Sequence, residues 1–137
     1  MTKTVWITGA GKGIGRALAL KMASEGWVVA ISARTAEDLE TLIVESDCTR
    51  IHAFPLDITD AEAHQYVLDK IEHQLGALDL VVLNAGTHRA MTAADFDVAL
   101  VRTLVETNLI GTVNGLAAVL PRFRNRKKGQ VAVVSSV

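Results

Sequence analysis

Residues 5–15 read Val5-Trp6-Ile7-Thr8-Gly9-Ala10-Gly11-Lys12-Gly13-Ile14-Gly15. A short apolar run leads into a turn with four glycines in seven residues. Beyond it, Ile14, Leu18 and Met22 recur every four positions, a helical period. Glycine lets a backbone bend tightly and approach a ligand closely. The free N–H groups and positive dipole end of the following helix suit a pyrophosphate. A glycine-rich turn alone is a weak signal. After a first strand and at the start of a first helix, it becomes informative.

The same alternation continues outward. Val28-Val29-Ala30-Ile31, Ile51-His52-Ala53-Phe54, Leu80-Val81-Val82-Leu83 and Val131-Ala132-Val133-Val134 are short, mostly apolar and β-branched-rich. Such runs predict strands buried on both faces of a parallel sheet. Helical stripes lie between them: Leu39, Leu42 and Ile43; Val67, Ile71 and Leu75; and a longer one through Val101, Val105, Leu109, Val113, Leu116 and Leu120. Alternating strands and helices predict a parallel sheet covered on both faces, with right-handed crossovers. Pro55 and Pro121 fall near the ends of a predicted strand and a predicted helix, where they do little damage.

The turn has competing readings. It could simply reverse the chain. A P-loop would need Ser or Thr after its lysine, but Lys12 is followed by Gly13. A methyl-donor-binding domain would want an acid at the end of the second strand, where this chain has Ser32-Ala33-Arg34. In a dinucleotide site, an acid there accepts from the adenosine 2′-hydroxyl, whereas an arginine suits a 2′-phosphate. Arg34 offers a planar donor fork and Lys12 a second positive charge, so the preferred cofactor is NADP(H) over NAD(H). The alternative for Arg34 is a solvated loop arginine.

The chain resembles the short-chain dehydrogenases/reductases. The residues carrying the resemblance are Thr8-Gly9-x-x-x-Gly13-Ile14-Gly15, Asp57, Asn84-Ala85-Gly86, Asn108 and Ser135-Ser136. No single motif is decisive, but five in the family's order and spacing make accident improbable. The resemblance implies an α/β fold, a Rossmann-type doubly wound parallel sheet with strand order 3-2-1-4-5. It also implies hydride transfer between a nicotinamide and a carbonyl or alcohol carbon of a small molecule, and a homodimer or homotetramer. Asp57 and Ile58 resemble the adenine contact; the alternative for Asp57 is capping a helix that begins near Asp60. Asn84, Ala85 and Gly86 resemble the segment along the cofactor ribose, with a plain turn as the alternative. Asn108 resembles the catalytic asparagine that holds a helix kink and a water, or is a structural amide with satisfied partners. Ser136 resembles the serine bonded to the substrate oxygen, with Ser135 as its neighbouring competitor and a strand-end hydroxyl as the bland reading.

The family's proton donor is a tyrosine with a lysine four residues later, whose ammonium lowers the phenol pKa. No Tyr-x-x-x-Lys occurs in the 137 residues, and the only tyrosine is Tyr66. The expectation is therefore a single domain, 1–137, incomplete on its C-terminal side and inactive alone. Its last strand would form an edge with unpaired backbone. The rival is a non-catalytic dinucleotide-binding or sensor module that ends at Val137.

Composition sets outer bounds. Half the residues are AVILMFWYC, and Lys+Arg 14 nearly balances Asp+Glu 15. A near-zero net charge gives no general pull towards nucleic acid or anionic lipid. No apolar run approaches the roughly 18–20 residues of a membrane span, so no membrane partner is expected. One cysteine, Cys48, cannot form an internal disulfide, which suits a reducing, cytoplasmic setting. The N-terminus enters a strand directly, leaving no room for a signal peptide. No metal is expected: His64 and His73 are nine apart and face opposite sides of a helix, and neither His52 nor His88 pairs in sequence with Cys48. His88 and Arg89 are read as a mobile surface loop near a substrate path. Arg122, Arg124, Arg126, Lys127 and Lys128 are read as a solvated face at a helix end. The long stripe to Leu120 exceeds what one helix needs for its core, and resembles the helix that family members pair across a dimer.

Overall fold

The computed structural model describes residues 2–46 and 49–136. Five parallel strands alternate with helices. They are β1 (Thr4–Thr8), β2 (Val28–Ser32), β3 (Ile51–Ala53), β4 (Leu80–Leu83) and β5 (Gln130–Val133). The sheet order is β3-β2-β1-β4-β5, as the family resemblance implies. The register pairs Ile7 with Ile31 on one side and with Val82 on the other. Cys48 and Val137, used in the sequence reading, lie outside the described residues.

Every residue of β1 is buried, and its side chains alternate between two cores. Val5 and Ile7 pack with Val29, Ile31, Leu39 and Leu42, beneath α1 (Gly13–Ser24) and α2 (Ala36–Ser46). Trp6 packs with Leu68, Ile71, Val81, Val119 and Phe123, beneath α3 (Ala61–Leu75) and α5 (Gly111–Arg126). Period two on a doubly covered strand therefore serves both layers. Trp6 Nε1 donates to the buried Ser32 Oγ at 2.8 Å, which satisfies both polar atoms.

Two stripes differ from expectation. In α1 the buried face is Gly15, Ala19 and Ala23, not the stripe that starts at Ile14, which is 66% exposed. Small residues let the helix lie close to the sheet, and they carry no apolar periodicity to read. The long helix is α4 (Val98–Val105), then a π-helical turn (Glu106–Ile110), then α5. It passes Pro121 without stopping. Its inner side is Gly111, Gly115, Ala118, Val119 and Phe123, while Val105, Leu109, Val113 and Leu120 face outward. Together, residues 98–126 are long and apolar enough, by length and composition only, to cross a membrane. That corrects the expectation that nothing approaches a span, although the inner side of this helix packs in the α/β core.

The cationic cluster is also less free than expected. Arg122 and Arg126 reach Glu72 of α3 at 2.9 and 2.7 Å, and Arg122 also pairs with Asp69. Glu72 Oε2 accepts from the Leu78 N–H at 2.8 Å. Burial raises the Glu72 pKa, but the bonds from Arg126, Leu78 and Arg122 outweigh it and hold the carboxyl below its ordinary value. This network ties α5 to α3. At the sheet edge, Val133 and Val134 are exposed, as expected of an edge strand.

Candidate functional site

Strand order reverses at β1, which has β2 on one side and β4 on the other. Open α/β sheets bind ligands at such a switch point, beyond the carboxyl ends of the strands. Here β1 ends at Thr8 and β4 at Leu83, and their extensions are locked together. Thr8 Oγ1 accepts from the Asn84 and Ala85 N–H groups at 3.1 and 3.2 Å. Asn84 Nδ2 donates to the Gly9 carbonyl at 3.2 Å.

This packing explains the glycines individually. Gly9 has φ +64°, and a Cβ there would lie 2.6 Å from Ala85 Cα. A Cβ on Gly15 would lie 2.4 Å from the Gly9 oxygen. Gly13 has φ +60° and no neighbour within 4 Å of a Cβ position, so conformation alone requires its freedom. Lys12 is the N-cap of α1, yet among the described residues no side-chain hydrogen bond caps the helix, and no acid occupies its first turn. The helix opens with uncompensated N–H groups and a positive dipole end.

A cleft of about 870 Å³ lies over this turn. Of the candidate residues, Gly9, Gly11, Lys12, Arg34, Asp57, Ile58, Asn84, Ala85 and Gly86 line it together. Thr8 and Gly15 are buried behind the lining and hold its shape. Gly13 and Ile14 form the exposed first turn of α1. Ser136 is exposed beyond β5 and does not line the cleft.

Asn108 lies in the π-helical turn. Its Nδ2 donates to the Thr87 carbonyl at 2.8 Å, and its Oδ1 accepts the Thr87 N–H at 2.7 Å. The amide thus clamps the loop after Gly86, where a Cβ would stand 3.1 Å from Asn108 Oδ1. Both polar atoms of the amide are bonded to backbone, and the residue lies in a π-helical turn of the long helix. Asp57 is not the cap of α3; Asp60 is, accepting the Ala63 N–H at 3.1 Å. Asp57 Oδ1 instead accepts the Thr59 hydroxyl at 2.8 Å and its N–H at 3.0 Å. These two bonds, helped by the charge of Arg34, hold the exposed Asp57 carboxyl below its ordinary value of 3.8.

The sequence reading missed several lining residues. Asp38, in the first turn of α2, lies beside Gly11 in the same cleft as Lys12 and Arg34. An acid near a helix start satisfies the helix dipole, so its sequence signature is an ordinary one. Thr59 was legible as the partner in an Asp-x-Thr turn. Leu104 and Thr107, on the far wall, carry no signal of their own. Among the described residues, no three His, Cys, Asp or Glu side chains gather as a metal set.

Residues 3–137 match the family described as short chain dehydrogenase. Dehydrogenase/reductase SDR family member 7 from Mus musculus is 32% identical over 142 residues, covering 97% of this chain and 41% of its own length. A solved short-chain dehydrogenase from Streptomyces avermitilis superposes with a TM-score of 0.89 at 32% identity, over 99% of this chain and 50% of that one. The structure of ElxO with NADP bound superposes at 0.90 and 29% identity, over 99% of this chain and 56% of that one. The chain thus spans about half the length of the proteins it matches.

Proposed function

Because the chain belongs to the short-chain dehydrogenase family, we propose that its cleft holds NADP(H) for hydride transfer with a carbonyl or alcohol of a small-molecule substrate. The observation that carries this reading is the uncapped start of α1 above Gly9 and Gly15, opening into the cleft that Lys12 and Arg34 line. The N–H groups there bind the pyrophosphate, and the two cations favour a 2′-phosphate over a hydroxyl. Asp38 opposes them with one negative charge. ElxO was solved with NADP bound, which supports the cofactor class.

Bound there, the dinucleotide supplies the hydride. The remaining work falls to this chain's own residues. Asp57 and Ile58 receive the adenine, and Asn84, Ala85 and Gly86 lie along the ribose. Asn108 keeps the Thr87 loop in place, and Ser136, which stands beyond β5 outside the cleft lining, is assigned to the substrate oxygen on the family resemblance alone. With no Tyr-x-x-x-Lys among its 137 residues, the chain binds and positions but moves no proton to the substrate. Turnover is assigned to a protein that also carries such a pair, and the chain alone is inactive. The alternative reading is a dinucleotide-binding module without chemistry. Pairing of two or four copies through the outer stripe of α4 and α5, and a cytoplasmic setting, complete the proposal.

Calorimetric titration with NADPH, NADH and S-adenosylmethionine tests it. NADPH binding tighter than NADH, with no binding of the methyl donor, is the expected result. Binding of the methyl donor alone overturns the reading. If NADPH binds but a longer form carrying a Tyr-x-x-x-Lys turns over no carbonyl, the module reading takes its place.

A further inference from the structure

The helix that carries Asn108 touches the other end of the cleft through a residue without an assigned role. Asn114, in the first turn of α5, donates from Nδ2 to the Ile58 carbonyl at 3.0 Å. One turn earlier, Gly111 is buried, and a Cβ there would stand 2.6 Å from Ile58 Cδ1 and 2.8 Å from Cγ1. Ile58 is therefore seated on α5 by its side chain and its carbonyl at once.

The rest of that turn is bonded mostly within itself. Thr59 bonds Asp57 through its N–H and hydroxyl, and the Asp60 N–H bonds the Asp57 carbonyl at 3.0 Å. These bonds stiffen the turn without locating it. The Leu56 N–H to the Ala33 carbonyl, at 3.0 Å, ties its start to the end of β2. On the other flank, Asn114 and Gly111 hold it to α5. Among the described residues, the Ile58 N–H has no partner. Asp57 and Ile58 both line the cleft.

We propose that Asn114, with Gly111 beneath Ile58, is a positioning residue for recognition of the adenine ring. This rests on the dinucleotide reading above. Asn114 does not line the cleft. It sets where the Asp57–Ile58 edge stands, and a two-point contact with a planar base tolerates little displacement. One helix thus locates both ends of the site: Asn108 holds the Thr87 backbone, and six residues later Asn114 holds the Ile58 backbone.

The test compares NADPH with its hypoxanthine analogue, in which a carbonyl replaces the exocyclic amine of adenine. Wild type favours adenine. In Asn114→Leu, NADPH affinity falls about tenfold, the equivalent of roughly one hydrogen bond. The analogue falls much less, so discrimination shrinks towards one. Asn114→Gln, which keeps the donor, recovers part of the preference. Gly111→Ala, which displaces Ile58 and leaves Asn114 intact, reproduces the loss, and it decides the matter with Asn114→Gln if the leucine variant does not fold. Equal weakening of both dinucleotides, or unchanged discrimination in folded variants, overturns the proposal while the dinucleotide reading stands. Failure of wild type to bind NADPH overturns both.

Discussion

Gly13 and Gly15 sit two residues apart in one turn, yet alanine should fail at them for different reasons. At Gly15, a Cβ would lie 2.4 Å from the Gly9 oxygen and 2.6 Å from Asn84 Nδ2. Ordinary carbon–oxygen contacts begin near about 3.3 Å. The Gly9 carbonyl, which is backbone, would have to retreat by roughly 0.9 Å on that scale. Overpacking of this kind costs about 1–3 kcal/mol. Retreat also breaks the Asn84–Gly9 bond of 3.2 Å, worth about 1 kcal/mol. Gly15→Ala should therefore lose about 2–4 kcal/mol of stability. At Gly13, nothing lies within 4 Å, and the cost is that of φ +60° for an alanine. That is about 1–2 kcal/mol, partly offset by the stiffer unfolded chain. Urea unfolding followed by circular dichroism, with unchanged slopes, measures both variants. If Gly15→Ala proves as stable as Gly13→Ala, the close packing of Gly9, Gly15 and Asn84 is not what selects the second glycine.

Two further outcomes follow from the α3 face. Glu72→Gln weakens bonds to Arg122 and Arg126 in a mostly buried setting and should cost about 2 kcal/mol in urea unfolding, whereas Arg124→Gln should stay within about 0.5 kcal/mol of wild type. His64 is fully buried beside Trp6, with Nδ1 2.9 Å from the Asp60 carbonyl and Nε2 without a partner. Burial holds its pKa below the ordinary 6.5, against the opposing pull of the Asp60 carbonyl and the Asp60 and Asp57 carboxylates. The unfolded chain then takes up a proton near pH 6.5 that the folded chain refuses. His64's share of stability is intact above that pH and is lost below it, by at most about 1.4 kcal/mol per pH unit. His64→Leu should flatten the stability profile between neutral pH and pH 5; an unchanged profile would remove His64 as its source.

Much of this was legible because strands and turns announce themselves locally. The five apolar runs and the glycine turn are short-range patterns, whereas the order 3-2-1-4-5 was implied by the family resemblance rather than by any local signal. Asn108 stands out as an amide in an apolar helical stripe, whereas Asp57 and Asn84 were found through the family resemblance. What stayed hidden depends on contacts distant in sequence. The buried face of α1 is built from Gly15, Ala19 and Ala23, whose value is smallness against the turn. That Arg122 and Arg126 are held by Glu72, some fifty residues away, cannot be seen in a run of basic residues. The clamp of Asn114 on Ile58 spans 56 positions and has no local signature.

The central claim, a dinucleotide cleft whose cations read a 2′-phosphate, is tested most directly by calorimetry on Arg34→Asp. Wild type should bind NADPH more tightly than NADH. The variant places a carboxylate where the phosphate would lie. It should lose about 100-fold in NADPH affinity, equivalent to roughly 2.7 kcal/mol, while NADH binding is retained or improved. Unchanged NADPH affinity in Arg34→Asp would contradict the account.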